Sequence, residues 1–354
     1  MDFRVTTPLV PSALPDDATC PPAFTEVRLA ATSVLSLCWD GDELVDWVGG
    51  GARWTLQGNF TDARIRPAFS FDMAATLPGR DYAVVYKRLG TKALLLENGR
   101  GVREIDRSYY FAESYEYPIA LFRLPTGRAA IAHCPQAYNR LRIDDLETGL
   151  VLASATSAAA DFFHSRLCVS PDGRWLASAG WRWHPVDDVA LYDIEAALAN
   201  GTALDRCDRD TGAMTESGNA AAFDPRGRLL VTSDTGGDDT DRPTGSFLAR
   251  LDPDAPATPD RLPIELDAPF MPVGSDWILL LADIPRLLSV ATGKVVATWP
   301  GIALRVPTSA IQSADVAFTP VARDLANARI AIAHDGGITI IAFDVPRGNL
   351  SPGR

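Results

Sequence analysis

Four histidines, two acidic runs and one tryptophan-rich segment are the residues whose types could carry chemistry in this 354-residue chain. His133 and His334 end two matching segments, AIAHC and AIAHD, while His164 and His184 stand in turn-rich stretches. Imidazoles can hold a metal or move protons, but a closed metal site needs about four convergent donors. No HxH or HExxH spacing places any two of these histidines on one element. Local hydrogen bonding, with no metal and no cofactor, is therefore the expectation. The acidic runs are Asp205, Asp208, Asp210 and Glu216, then Asp234, Asp238, Asp239 and Asp241. Calcium takes about six to eight oxygens, and neither run fits the twelve-residue calcium loop. Both read as an acidic rim, with Asp238 and Asp239 as candidate partner contacts.

The segment Trp181-Arg182-Trp183-His184 is the most distinctive feature. Residues two apart share a side of an extended segment, so the two indoles would face one way. Trp, Tyr and Arg dominate binding hot spots. Tyr109, Tyr110, Tyr115 and Tyr117, in RSYYFAESYEY, would join them. These ten residues, from Tyr109 to Asp239, form the expected partner-binding set. The competing reading is that the rings merely fill space between long loops, since contiguous exposed apolar patches are uncommon in monomers. No catalytic residue is assigned: nucleophile elbow, P-loop and dinucleotide fingerprint are all missing, and no helix follows Gly49–Gly51 to make a phosphate cradle.

The elements that would position these residues are short and β-like. Net charge is −12, which argues against nucleic acid as a partner. No apolar run approaches the roughly 18 residues of a membrane span, and MDFRVTTPLVPSALPDD does not read as a signal peptide. Five cysteines (20, 38, 134, 168, 207) share no CxxC spacing, which fits a reduced cytoplasm. Residues 1–24 carry five prolines and read as an extended arm, 25–346 as the folded domain and 347–354 as a tail. Only Ile194–Ala199 has a helical pattern.

A repeat organises the rest. LCVSPDGRWLASAGWRWHPVDDVALYD, from Leu167, reads as strand, Asp-Gly turn, strand, long loop, strand. The scheme recurs from Ala222, Ile119 and Val316, and more weakly from Val34, Ala68 and Phe270. First-turn residues fall at Gly41, Gly79, Gly127, Gly173, Gly227, Gly274 and near Asn327. A second signature, DLETGLVLA and SVATGKVVATW with the shorter LENGRGVREI, marks a third-to-fourth-strand hairpin. Seven units of about 47 residues match four-stranded propeller blades. The expected fold is all-β, a single seven-bladed β-propeller, with six or eight blades also open. The last unit lacks a fourth strand, so the N-terminal region should supply it. Phe24–Ala30 alternates better than Phe3–Val10 and is the favoured closing strand.

SPDGRWLASAG (Ser170–Gly180) followed by VALYDI resembles a blade of the WD-repeat family, with Tyr192-Asp193 in place of Trp-Asp, and FDPRGRLLVTS (Phe223–Ser233) is similar. The resemblance covers about a quarter of the chain. The family's Gly-His dipeptide is missing, so its Asp–His–Ser–Trp tetrad has no counterpart in the sequence pattern. The fold, the aromatic loops and the lack of any catalytic constellation lead to the expectation of a non-catalytic scaffold that binds a protein partner through the face carrying the long loops. Two alternatives stay open: a propeller hydrolase or lactonase with a metal at the channel mouth, and a lectin-like module using Trp181 and Trp183 as sugar platforms.

Overall fold

The computed structural model describes residues 20–62, 66–77, 82–182, 186–206, 211, 214–215, 220–235, 245–255, 258–312 and 317–345. Each blade is a four-stranded antiparallel sheet whose strands run in order from channel to rim. Blade one comprises Cys38–Asp40, Glu43–Asp46, Ala52–Thr55 and Phe60–Thr61, and blade two Met73–Thr76, Tyr82–Tyr86, Lys92–Glu97 and Arg100–Asp106. Blade three is Ile119–Arg123, Ala129–His133, Arg142–Asp145 and Val151–Ser154. Blade four is Leu167–Val169, Trp175–Arg182, Val186–Asp193 and Met214–Thr215. Blade five is Ala220–Phe223, Leu229–Thr235, Gly245–Leu251 and Asp260–Ile264, and blade six Phe270–Val273, Trp277–Leu281, Pro285–Ser289 and Val295–Thr298. Blade seven takes Val321–Asp324, Arg329–His334 and Gly337–Phe343 from the C-terminal part of the chain and its rim strand, Phe24–Ala30, from the N-terminal part. Seven blades are thus observed, and the expected strand closes the ring.

The turn chemistry explains where the strands reverse. Gly99, Gly149 and Gly293 occupy the third-to-fourth turns with φ of 74, 75 and 70°, a region open to glycine at no steric cost. Beside each, the third strand shifts register by one residue, at Leu95/Leu96, Ile143/Asp144 and Leu287/Leu288. This is a hairpin turn coupled to a bulge. The first-to-second turns fall where the repeat places them, although Gly79 lies outside the described residues. The short helix Ile194–Ala199 is present, capped by Asp193, whose side chain accepts from the Ala196 N–H.

The core is divided into seven wedges, one per blade interface. Leu44, Trp54, Ile338 and Ile340 fill the wedge between blades seven and one, and Leu176, Tyr192, Ile143 and Phe162 that between three and four. The closing strand serves two wedges because its side chains alternate. Val27 and Leu29 enter the blade seven–one wedge. Phe24 packs on Trp299 of the six–seven wedge, and Glu26 accepts a 2.8 Å bond from the Trp299 indole.

One expectation is revised here. Gly180–Asp188 is not a loop inserted in blade four. The second and third strands stay paired out to Trp181↔Asp187 and Arg182↔Val186, so all of the segment that is described belongs to the two strands of a long hairpin.

Removing the closing strand exposes a sheet edge and opens two wedges at once. Deleting residues 1–31 should therefore abolish the cooperative thermal transition. A truncated protein that melts like the full-length one would show that the strand is dispensable.

Candidate functional site

Second-to-third-strand loops and blade-to-blade connections share one face, the top. The connection from blade six to blade seven does not hug the rim. Its residues 300–312 reach across the top as a strap and dock on the segments that lead into blades three and four. The Glu116 N–H donates to Ala310 O (3.0 Å), the Gln312 N–H donates to Ser114 O (2.8 Å), and Tyr115 bridges Ile311. Arg166, the residue before blade four, holds the strap. Its Nε and Nη2 grip both oxygens of Glu116 at 2.8 and 3.1 Å, and the guanidinium also donates to the carbonyls of Pro307, Thr308 and Ser309 at 2.7–2.9 Å. Gln312 donates to Glu116 and accepts from Arg88, whose guanidinium lies 5.0 Å from the Phe318 ring. Asp187 is buried beside the strap, 3.5 Å from Ser309 Oγ. Burial raises its pKa, against the pull of Arg166.

A second buried arginine shapes the lead-in to blade three. Arg107 donates to the carbonyls of Gly90, Ala112, Tyr115 and Glu116 at 2.6–3.2 Å and lies over the rings of Tyr115 and Tyr117 at 4.3 and 4.9 Å. Desolvation lowers its pKa, which for an arginine leaves the charge in place. The loop is thereby pinned at its base while its tip stands clear. Tyr109 is 81% exposed, Tyr110 45% and Phe111 41%. Phe111 has φ of 50°, an uncommon conformation for a bulky side chain, and Arg166 has φ of 43°. From Tyr110 a ladder of stacked rings descends into the molecule, through Tyr138 (5.1 Å) and Phe163 (4.1 Å) to Trp181 (4.2 Å).

The expected contact residues therefore separate. Tyr109 and Tyr110 are on the surface. Trp181, Tyr115 and Tyr117 are 6%, 1% and 3% exposed and cannot meet a partner directly, a correction to the expectation. Trp181 stacks on Phe163 and Tyr115 meets it edge-on in an eighth apolar cluster above the wedges. Tyr117 belongs to the blade two–three wedge and donates to Ile105 O. The reason is the hairpin: the Phe163 and Trp181 backbones pair (2.8 and 3.2 Å), which turns the indole inward. Arg182 is ion-paired with Asp188 at 2.6 Å. Trp183, His184, Asp238 and Asp239 lie outside the described residues. Asp205 is no rim residue: it anchors a loop by accepting from Thr156 N and Oγ1 at 2.6 and 2.7 Å. Arg166, Glu116, Asp187 and Tyr138 were not singled out by sequence reasoning, because no local spacing marks a contact made across the ring.

The described histidines each have a side-chain partner in their own blade. His133 Nε2 is 2.9 Å from Asp144, His164 Nδ1 3.1 Å from Ser178 Oγ, and His334 Nε2 2.8 Å from Thr339 Oγ1. Among the described residues no three of His, Cys, Asp and Glu gather as metal ligands would, and no helix is long and apolar enough to cross a membrane.

No family model matches the sequence, and no curated protein matches it either. Solved structures do share the fold. Hydrazine synthase of Kuenenia stuttgartiensis aligns with a TM-score of 0.58 at 14% identity, over 90% of this chain and 98% of that one. A streptogramin B lyase aligns at 0.52 and 9%, over 91% and 98%, and the Dos1 propeller at 0.50 and 12%, over 88% and 78%. At these identities the likeness shows a β-propeller and carries no activity across.

Trp181→Ala should behave as a core truncation and cost about 3–5 kcal/mol in denaturant unfolding. A variant as stable as the wild type would mean that the ladder does not support the hairpin. Acid should also destabilise the fold. Burial lowers the pKa of His164 from the ordinary 6.5 to about 3, and that of His133 and His334 in the same direction. The unfolded chain then binds more protons, so stability is full above pH 6.5 and falls on acidification. For His164 alone the slope is about 1.4 kcal/mol per pH unit, down to its folded value. Unfolding midpoints measured between pH 7.5 and 5 should fall, and His164→Asn should flatten the dependence.

Proposed function

We propose that the protein is a non-catalytic cytoplasmic scaffold that holds a protein partner on the top face, with the tip Tyr109–Phe111 as its anchor. One observation carries this reading: three consecutive exposed aromatic rings stand on a loop whose base is fixed by Arg107 and by the stacked ladder. Aromatic side chains displayed on a rigid base bind with little loss of conformational entropy. The buried Trp181, Tyr115 and Tyr117 then act by holding that base. Exposed Glu113 and Asp161 flank the tip, and the chain carries net charge −12, so an apolar partner surface with a basic border is the complementary choice. Thiols at Cys20, Cys38, Cys134 and Cys168, none of them in a disulfide, suit a reducing compartment.

We also read the chain as a divergent WD-repeat relative. His164 stands before blade four, bonded to Ser178 and 5.8 Å from the ring of Tyr192. This supports a histidine–serine–aromatic link of the tetrad kind in one blade, with Phe163 where the family has glycine. A catalytic reading has a single support, the raised pKa of buried Asp187. Its approach is occupied by Ser309 and the strap, and the scaffold reading is preferred. The glycan reading loses Trp181 as a platform because that indole is buried.

Substituting serine for Tyr109, Tyr110 and Phe111 together should leave the melting transition in place. It should weaken capture of the protein retained by immobilised wild type by about 2 kcal/mol or more, the scale of a hot spot. Equal capture by the variant would remove the tip from the interface.

A further inference from the structure

Four buried or nearly buried arginines of this protein are bonded to protein acceptors. Arg107 is met by carbonyls, Arg166 by Glu116 and carbonyls, Arg88 by Gln312 and Glu116, and Arg329 by Asp324 and Asp42. Arg323 differs. It lies on the innermost strand of blade seven, Val321–Asp324, and its Nη1 donates to Phe223 O, on the innermost strand of blade five, at 3.4 Å. Blade six stands between those two, so the side chain extends through the channel. That long bond is its one hydrogen bond among the described residues, and none of their carboxylates pairs with it. The residue as a whole is partly exposed. Yet protein surrounds it closely enough for desolvation to lower its pKa. A cation so enclosed and without a counter-charge is costly, and its planar fork of N–H donors matches two oxygens of one anion.

We infer that the central channel binds a small oxyanion or carboxylate, held in bidentate fashion by Arg323. The nearest titratable neighbour suits an anion. Cys168, on the innermost strand of blade four, donates toward Ala221 O at 3.6 Å. Burial pushes its thiol up to about 12, so it stays neutral at physiological pH and does not repel negative charge. The strap reaches across the top, and Arg323 and Phe223 lie toward the far ends of strands that run away from that face. The anion would therefore enter from the opposite face, where the short glycine turns leave the rim low. The overall charge of −12 disfavours diffuse anion uptake, so retention would require a defined site.

The experiment uses the full-length protein, with melts recorded in sodium phosphate or sodium acetate, each balanced against sodium chloride at equal ionic strength. Titration calorimetry with phosphate accompanies them. Phosphate, acetate or both should raise the melting temperature saturably beyond chloride, and which of them does so separates an oxyanion site from a carboxylate site. Arg323→Met should abolish the effect. Arg323→Lys should weaken half-saturation about tenfold or more, the loss of one charge-assisted hydrogen bond. If Arg323→Met does not fold, Arg323→Gln takes its place in the same comparison. A wild-type protein that gains nothing from either anion over chloride overturns the inference, and the guanidinium is then simply hydrated. An equal gain in wild type and the charge-removing variant overturns it too, by placing the anion elsewhere.

Discussion

Seven residue pairs, from Phe24↔Phe343 to Ala30↔Gly337, hold the ring shut, and every other part of the molecule depends on them. A propeller has no single core. Its apolar residues lie in wedges that exist only while two blades face each other, so one missing neighbour exposes the faces on both sides of the gap. The closing strand meets this constraint by alternation: Phe24 and Glu26 look toward blade six, Val27 and Leu29 toward blade one. It is also bonded on its blade-one side, where the Trp54 indole donates to Ala30 O at 3.2 Å. Joining the first described strand to the last makes closure a late, long-range contact, the kind that slows folding because its loop entropy must be overcome first.

Once the ring is closed, its top can carry irregular backbone, and two buried arginines supply the polar partners that such backbone needs. Arg107 and Arg166 together accept the duty of satisfying carbonyls from two loops and a strap. A guanidinium suits this role because it offers five donors in one plane and keeps its charge when buried. Lysine would offer fewer directions and a charge more easily lost, which accords with three lysines against thirty arginines in the chain without explaining that ratio. The same anchoring allows Phe111 and Arg166 to hold positive φ values. Strain of this type persists where surrounding contacts overdetermine the loop, and here it lies at the exposed tip and at the strap.

Burial reorganises the meaning of the aromatic residues. Tyr110, Tyr138, Phe163 and Trp181 form one stack that begins in solvent and ends in the blade four hairpin. A stack of this kind transmits position rather than offering contact area along its length. Its surface end can bind and its buried end can only support. The described histidines show the same economy: each is engaged in local hydrogen bonds, and burial lowers the pKa of His133, His164 and His334 alike, which keeps them neutral near pH 7.

The repeat was legible in the sequence because its signals are local. Gly149 and Gly293 mark a turn from three or four residues, alternation marks Phe24–Ala30 as a strand, and the missing fourth strand of the last unit calls for an N-terminal one. The repeated blade and the order of the blades follow from such patterns within about fifty residues of chain. The site was not legible in that way. Trp181 and Tyr109 are both aromatic residues in polar segments, and only the pairing of Trp181 with Phe163 buries the one while leaving the other exposed. Arg166 meets Pro307 across 141 residues of sequence, and Arg323 meets Phe223 across 100. Contacts of that span are set by where the closed ring brings its blades, so the sequence by itself determined the blades and their order, and the tertiary structure decided which side chains face a partner, the strap or the channel.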